Sequence, residues 1–287
     1  MITSIQGFKV GHYTNKEALT GCTVILCPPK TVGSCDIRGS APGSRETPLL
    51  DPEKTMNQVH AILLTGGSAF GLSAAEGVMR YLVERDIGYE TPWVRVPIVP
   101  AAVVFDLNVG DKNIRPTPDD AYAACVSATD GAIERGSVGA GTGTTVGKWM
   151  GPRYWMKGGV GVAEQKYKDL IVSAIAVVNA VGDVYDKNGK VIAGARHPDG
   201  GFWADMDADA RYGAVPLPLN TNTTLVVVAT NAKLTKLDVY KVCRRSQTGM
   251  ARAIKPVHTS HDGDCIFGLA TGTVESQIDL VSEIAAE

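Results

Sequence analysis

The stretch Asn220-Thr221-Asn222-Thr223-Thr224-Leu225-Val226-Val227-Val228-Ala229-Thr230 sets a polar turn directly against a β-branched run. Such a run predicts a strand beginning at Thr223. Two readings of its first residues stand side by side. One is the plain β-propensity of Thr-Thr. The other is a self-cleaving bond, in which the Thr223 hydroxyl attacks the carbonyl of Asn222 and water resolves the ester. The new N-terminus then carries a hydroxyl and a free amine on one residue. An α-amino group titrates at about 7.7–8.0, so it can serve as general base without a histidine.

Strands and helices interleave on both sides of this stretch. Residues 22–27, 60–65, 169–178 and 265–271 read as strands, and 94–107 as an irregular or edge strand. Val184 to Ile192 reads as a hairpin turning at Asn188-Gly189. Helices are predicted after Gly66-Gly67, from Pro118 to Gly136, from a capping box at Thr235-Lys-Leu-Asp238 to about residue 252, and from about Gln277. Residues 34–48 read as a loop, and 196–222 as a polar segment. The pattern predicts a mixed α/β chain with one domain over residues 1–287.

The composition narrows the function. The 287 residues carry 28 Lys+Arg against 30 Asp+Glu, a net charge of −2. That balance argues against a nucleic-acid partner, which calls for a basic surface. No apolar run reaches the ~18 residues of a membrane span. Met1-Ile-Thr-Ser-Ile-Gln-Gly7 lacks the basic and apolar parts of a signal peptide, and the six cysteines form no CxxC pair. The expectation is a cytoplasmic protein with reduced thiols.

Several short motifs fail on inspection. Gly141 to Lys148 resembles a phosphate loop, but Thr142 and Trp149 break the pattern. Gly66-Gly-Ser68-Ala-Phe70-Gly71 has Phe where a nucleophile elbow has Gly. Asp205, Asp207 and Asp209 start like a calcium loop, yet Ala210 and Pro216 stand at its sixth and twelfth positions. His258-Thr-Ser-His261-Asp262-Gly-Asp264 holds four potential metal ligands in a turn, or alternatively two carboxylates beside a charged partner.

Longer blocks are more specific. They include Ile37-Arg-Gly-Ser-Ala-Pro-Gly-Ser-Arg-Glu-Thr47, Leu64-Thr-Gly-Gly-Ser-Ala-Phe-Gly-Leu72, Val96-Pro-Ile-Val-Pro-Ala-Ala-Val103 and Gly139-Ala-Gly-Thr-Gly143. Asn222 to Asn231 and His261 to Gly272 complete the set. Through them nearly the whole chain resembles the DmpA-type aminopeptidases and their relatives, the endo-type 6-aminohexanoate (nylon) oligomer hydrolases.

The resemblance implies a four-layer αββα sandwich of the N-terminal-nucleophile kind, also found in ornithine acetyltransferases. It implies autocleavage between Asn222 and Thr223, into residues 1–222 and 223–287. Thr223 matches the nucleophile. Lys148 matches a lysine near it that holds the Thr223 amine neutral. Asn179 matches an asparagine that donates to the oxyanion. Asp262 and Asp264 match an acidic pair, which points one way if the stretch is extended and so faces Thr223. Substrates are then small peptides or linear amides, with no metal or organic cofactor, and the assembly is a homotetramer of processed heterodimers. The oligomer hydrolases carry a tyrosine where this chain has Phe105, so the chemistry carries over further than the substrate. An acyl transferase of the ornithine acetyltransferase type, a non-processing scaffold and a metal hydrolase are the rival expectations.

Overall fold

Ten strands form two five-stranded sheets in a computed structural model that describes residues 1–207, 209–210 and 221–287. The first sheet holds β1 (Lys9–Asn15), β2 (Thr20–Leu26), β4 (Ser44–Arg45), β5 (Ala61–Thr65) and β6 (Ala101–Val103), in the order β1-β2-β5-β6-β4. The second holds β3 (Val32–Ile37), β7 (Gly159–Tyr167), β8 (Leu170–Asn179), β9 (Thr223–Ala232) and β10 (Cys265–Val274), in the order β7-β8-β9-β10-β3. Neighbours run antiparallel except β5–β6 and β9–β10, which are parallel.

Side-chain alternation divides the core. In β9 every residue is buried, as expected of a strand covered on both faces. Leu225 and Val227 join Ile175, Phe267 and Leu269 of their own sheet and Val10, Ile25, Ile62 and Leu64 of the other. Val226 and Val228 point the opposite way. They pack with Val239, Val242 and Cys243 of α3 (Lys236–Ala253) and with Val281 and Ile284 of α4 (Ile278–Ala286). On the first sheet, Val24 and Leu63 meet α1 (Ala75–Val83) and α2 (Pro118–Val126) through Val78, Leu82, Ala121 and Ala124. The capping box of α3 forms as its sequence predicts. The Thr235 hydroxyl accepts from the Asp238 N–H, and the Asp238 carboxylate accepts from Thr235.

Several expectations need correction. Residues 34–48 are not a continuous loop. Val32–Ile37 pairs along β10, and Ser44–Arg45 along β6. Short polar residues hide β3 from any periodicity. The Ser34 hydroxyl, for instance, is satisfied by the Leu50 carbonyl at 2.7 Å. Ala101–Val103 lies inside its sheet rather than at the edge. The helix from Pro118 stops at Val126, not at Gly136. Beyond it, Thr129 exchanges two backbone hydrogen bonds with Val10 and pulls the chain onto β1. The chain from Gly66-Gly67 first forms a 3₁₀ turn, Ser68–Ala74, and only then α1. Position 208 and residues 211–220 of the polar segment lie outside the described residues, as does Pro216 of the failed calcium loop.

Candidate active site

Three adjacent strands of the second sheet converge at one place. There β8 ends at Asn179, β9 begins at Thr223, and the turn entering β10 holds Asp262, Gly263 and Asp264. Asn179 faces Thr223 in antiparallel register, and Asn222 bridges Asp262 in parallel. Residues more than eighty positions apart in sequence thus share one strand-end cluster.

In the uncut chain the Thr223 nitrogen is a peptide nitrogen. Thr223 is buried. Its hydroxyl donates to the Asn222 carbonyl oxygen at 2.6 Å, and the Gly263 N–H donates to that same oxygen at 2.8 Å. Gly263 has no room for a side chain. A Cβ there would lie 2.7 Å from the Ala41 carbonyl oxygen and 2.9 Å from the Thr223 hydroxyl oxygen.

Lys148 arrives through a turn that requires glycine. Gly147 has φ 68°, and a Cβ on it would lie 2.0 Å from the Ala195 nitrogen. Lys148 itself is only 2% exposed. Its Nζ donates to the Asn179 carbonyl (3.0 Å), the Asn179 Oδ1 (2.8 Å) and the Thr221 carbonyl (3.3 Å). Burial pulls the ammonium pKa down to about 7, opposed by the charge of Asp262.

Asn179 is fully engaged. Its Oδ1 also accepts from the Thr145 N–H at 3.0 Å, and its Nδ2 donates to the carbonyls of Phe105 and Thr221, each at 3.1 Å. The N–H that donates to the Asn222 carbonyl oxygen in the uncut chain is that of Gly263, while Asn179 Nδ2 is directed to the carbonyls of Phe105 and Thr221.

The acidic pair splits its contacts. Asp264 Oδ1 accepts from the Thr224 N–H at 2.6 Å, one residue past the hydroxyl. Asp262 Oδ2 accepts from the Thr259 N–H at 2.7 Å, while its buried Oδ1 has no partner among the described residues. Burial and then the charge of Asp264 push the Asp262 pKa up to about 6, against the pull of Thr259 and Lys148. His258 Nδ1 is committed to Asp264 Oδ2 at 2.8 Å. Among the described residues no group of three or more His, Cys, Asp or Glu side chains is placed to hold a metal ion. The contacts made by the Gly263 N–H, His258 and the Phe105 carbonyl are not expected from the sequence. The Asp-Gly-Asp spacing was the available signal for the first, since a glycine between two such residues marks close backbone approach.

A strand-end threonine thus lies against its own preceding carbonyl, in a cluster with a buried lysine, an asparagine and two aspartates. Comparison with known proteins gives the family. The model of Peptidase family S58 matches residues 1–286, and the chain belongs to that family. An uncharacterized aminopeptidase of Mycobacterium leprae is 42% identical over 299 residues, covering 96% of this chain and 79% of that protein. The 6-aminohexanoate-oligomer endohydrolase of a Kocuria species is 30% identical over 277 residues, covering 94% of this chain and 74% of that one. Among solved structures, the L-aminopeptidase D-Ala-esterase/amidase of Ochrobactrum anthropi, described as a variant of the Ntn hydrolase fold, aligns with TM-score 0.76. It is 18% identical, covering 99% of this chain and 82% of that one. A Burkholderia β-aminopeptidase aligns at 0.72, with 19% identity and coverage of 99% and 82%. The protein is a hydrolase of C–N amide bonds with this fold.

Proposed function

We propose that the chain matures by cutting itself between Asn222 and Thr223 and then hydrolyses small peptides or linear amides, 6-aminohexanoate oligomers among them. The observation that carries this reading is the Asn222 carbonyl oxygen, held between the Thr223 hydroxyl at 2.6 Å and the Gly263 N–H at 2.8 Å. In the first step the Thr223 oxygen bonds to the Asn222 carbonyl carbon. The C–N bond breaks, and the hydroxyl proton ends on the leaving nitrogen. Water then splits the ester, leaving a carboxylate on Asn222 and a free amine on Thr223. A peptide nitrogen cannot act as base, so proton traffic in the uncut chain falls to Lys148 and Asp262, both tuned toward neutrality. Gly263 supplies the donor for the developing oxyanion.

In the mature enzyme the Thr223 amine takes over as base. Thr223 forms an acyl-enzyme with the substrate, and water releases the acid. Withdrawal of the Thr221 carbonyl frees Asn179 Nδ2 for the substrate oxyanion and leaves Lys148 and Asp264 to position the amine and the strand start. The three cores described above support a four-layer αββα arrangement. The same reading assigns a cytoplasmic homotetramer of processed heterodimers, which native mass measurement tests.

Intact mass under denaturing conditions tests the nucleophile. Two species meeting between Asn222 and Thr223 are expected from wild type, and one uncut 30.3 kDa species from Thr223→Ala. An active Thr223→Ala protein would sink the proposal.

A further inference from the structure

Asp264 is held by three N–H groups, and two of them belong to one residue. The backbone N–H of His258 donates to Asp264 Oδ2 at 3.1 Å, and its ring Nδ1 donates to the same oxygen at 2.8 Å. The other oxygen, Oδ1, accepts from the Thr224 N–H at 2.6 Å. Asp264 is only 1% exposed, so no solvent competes for these bonds. His258 grips it from an unusual backbone position, with φ 53° in the left-handed region. Histidine, asparagine and aspartate are the side chains that enter this region most readily. The ring Nε2 is buried and has no hydrogen-bond partner among the described residues. Nothing in the proposed chemistry uses His258, yet it spends both of its donors on one carboxylate oxygen.

We propose that His258 is a positioning residue for self-cleavage. By fixing one oxygen of Asp264 it keeps the other on the Thr224 N–H, and so holds the start of β9 with the Thr223 hydroxyl against the Asn222 carbonyl. This rests on the reading of Thr223 as the nucleophile. Without the ring, Asp264 Oδ2 keeps only the longer bond from the His258 backbone N–H, at 3.1 Å, and loses the 2.8 Å bond that fixes the carboxylate's rotation. The backbone anchor next to the Thr223 hydroxyl is then looser. A displacement of about 1 Å in such a geometry costs on the order of a hundredfold in rate.

The test uses the full chain and follows loss of the uncut species by denaturing mass. His258→Asn keeps an amide N–H where Nδ1 stood and tolerates the left-handed backbone. His258→Gln carries its amide out to the place of Nε2, and His258→Ala has none. His258→Asn is expected to cut within about threefold of wild type, and His258→Gln and His258→Ala at least about tenfold more slowly. Thermal melts of the same samples separate folding from chemistry. A purely structural role predicts rates that follow stability, with the asparagine and glutamine variants alike. That result, or wild-type rates in all three variants, would overturn the role of His258 while leaving Thr223 in place. If the alanine variant fails to fold, the asparagine–glutamine pair still decides. A wild-type chain that never cuts would overturn the nucleophile reading and this role with it.

Discussion

Burial shifts both Lys148 and Asp262 toward neutrality, the lysine down to about 7 and the aspartate up to about 6, and the charge of each opposes the other's shift. Both shifts leave a signature in stability. Between pH 7 and 10.5 the unfolded chain keeps a proton on Lys148 that the folded chain has given up, so this group makes stability rise with pH across that window. Between pH 3.8 and 6 the folded chain keeps a proton on Asp262 that the unfolded chain has lost, so this group makes stability fall as pH rises. The gradient is about 1.4 kcal/mol per pH unit for each. Lys148→Met is expected to remove this group's share of the alkaline slope and, by removing the charge that lowers the Asp262 pKa, to carry the acid-side fall to higher pH. Urea melts on a Thr223→Ala background check this with every sample uncut, and an unchanged alkaline slope would contradict it. At this scale the sequence showed the residues but not their surroundings. Lys148 follows a glycine run, and nothing local announces that Asn179 and Thr221 will wrap its ammonium group.

At the scale of elements, the site is a product of strand ends. The β-branched run from Leu225 announced β9, the capping box announced α3, and the Asn188-Gly189 turn announced its hairpin. Strands with weaker patterns were missed. Gly159–Tyr167 has glycine at its first and third positions and its outer half exposed, and Val32–Ile37 breaks its apolar residues with Gly33, Ser34 and Asp36. Their backbones are ordered by β8 and β10, so the information lies in the partners rather than in the segments. The Asp262-Gly263-Asp264 turn belongs to this scale too, because the register of β9 against β10 sets where its N–H groups fall. Gly263→Ala is expected to slow self-cleavage on the order of a hundredfold, since its Cβ presses on Ala41 and Thr223 and moves the donor N–H off the Asn222 oxygen. The two α-helices that follow the strands, α3 and α4, should keep their far-ultraviolet signal. A variant that loses that signal along with cleavage would show a folding defect instead.

For the whole molecule, the topology decides what cleavage does to the assembly. The proposed cut leaves 222 residues upstream and residues 223–287 downstream. The downstream piece contributes β9, α3, β10 and α4. Of these, β9 is hydrogen-bonded to β8 and β10 to β3, so the smaller piece fills the middle of a sheet whose outer strands belong to the larger. Leu225, Val227, Phe267 and Leu269 are buried against Ile62 and Leu64 of the other sheet. Lys236 adds three hydrogen bonds from its Nζ to the carbonyls of Leu49, Lys54 and Met56. Separation would expose four large apolar side chains, each worth about 1.5–3 kcal/mol when buried, and leave the edges of β8 and β3 unpaired. The two pieces are therefore expected to migrate as one species in native size exclusion after cleavage. They should separate only in denaturant, in one transition shared by tryptophan fluorescence and circular dichroism. A cleaved sample whose smaller piece elutes alone under native conditions would mean that the cut frees a dissociable segment, and the shared core would not be what holds the mature enzyme together.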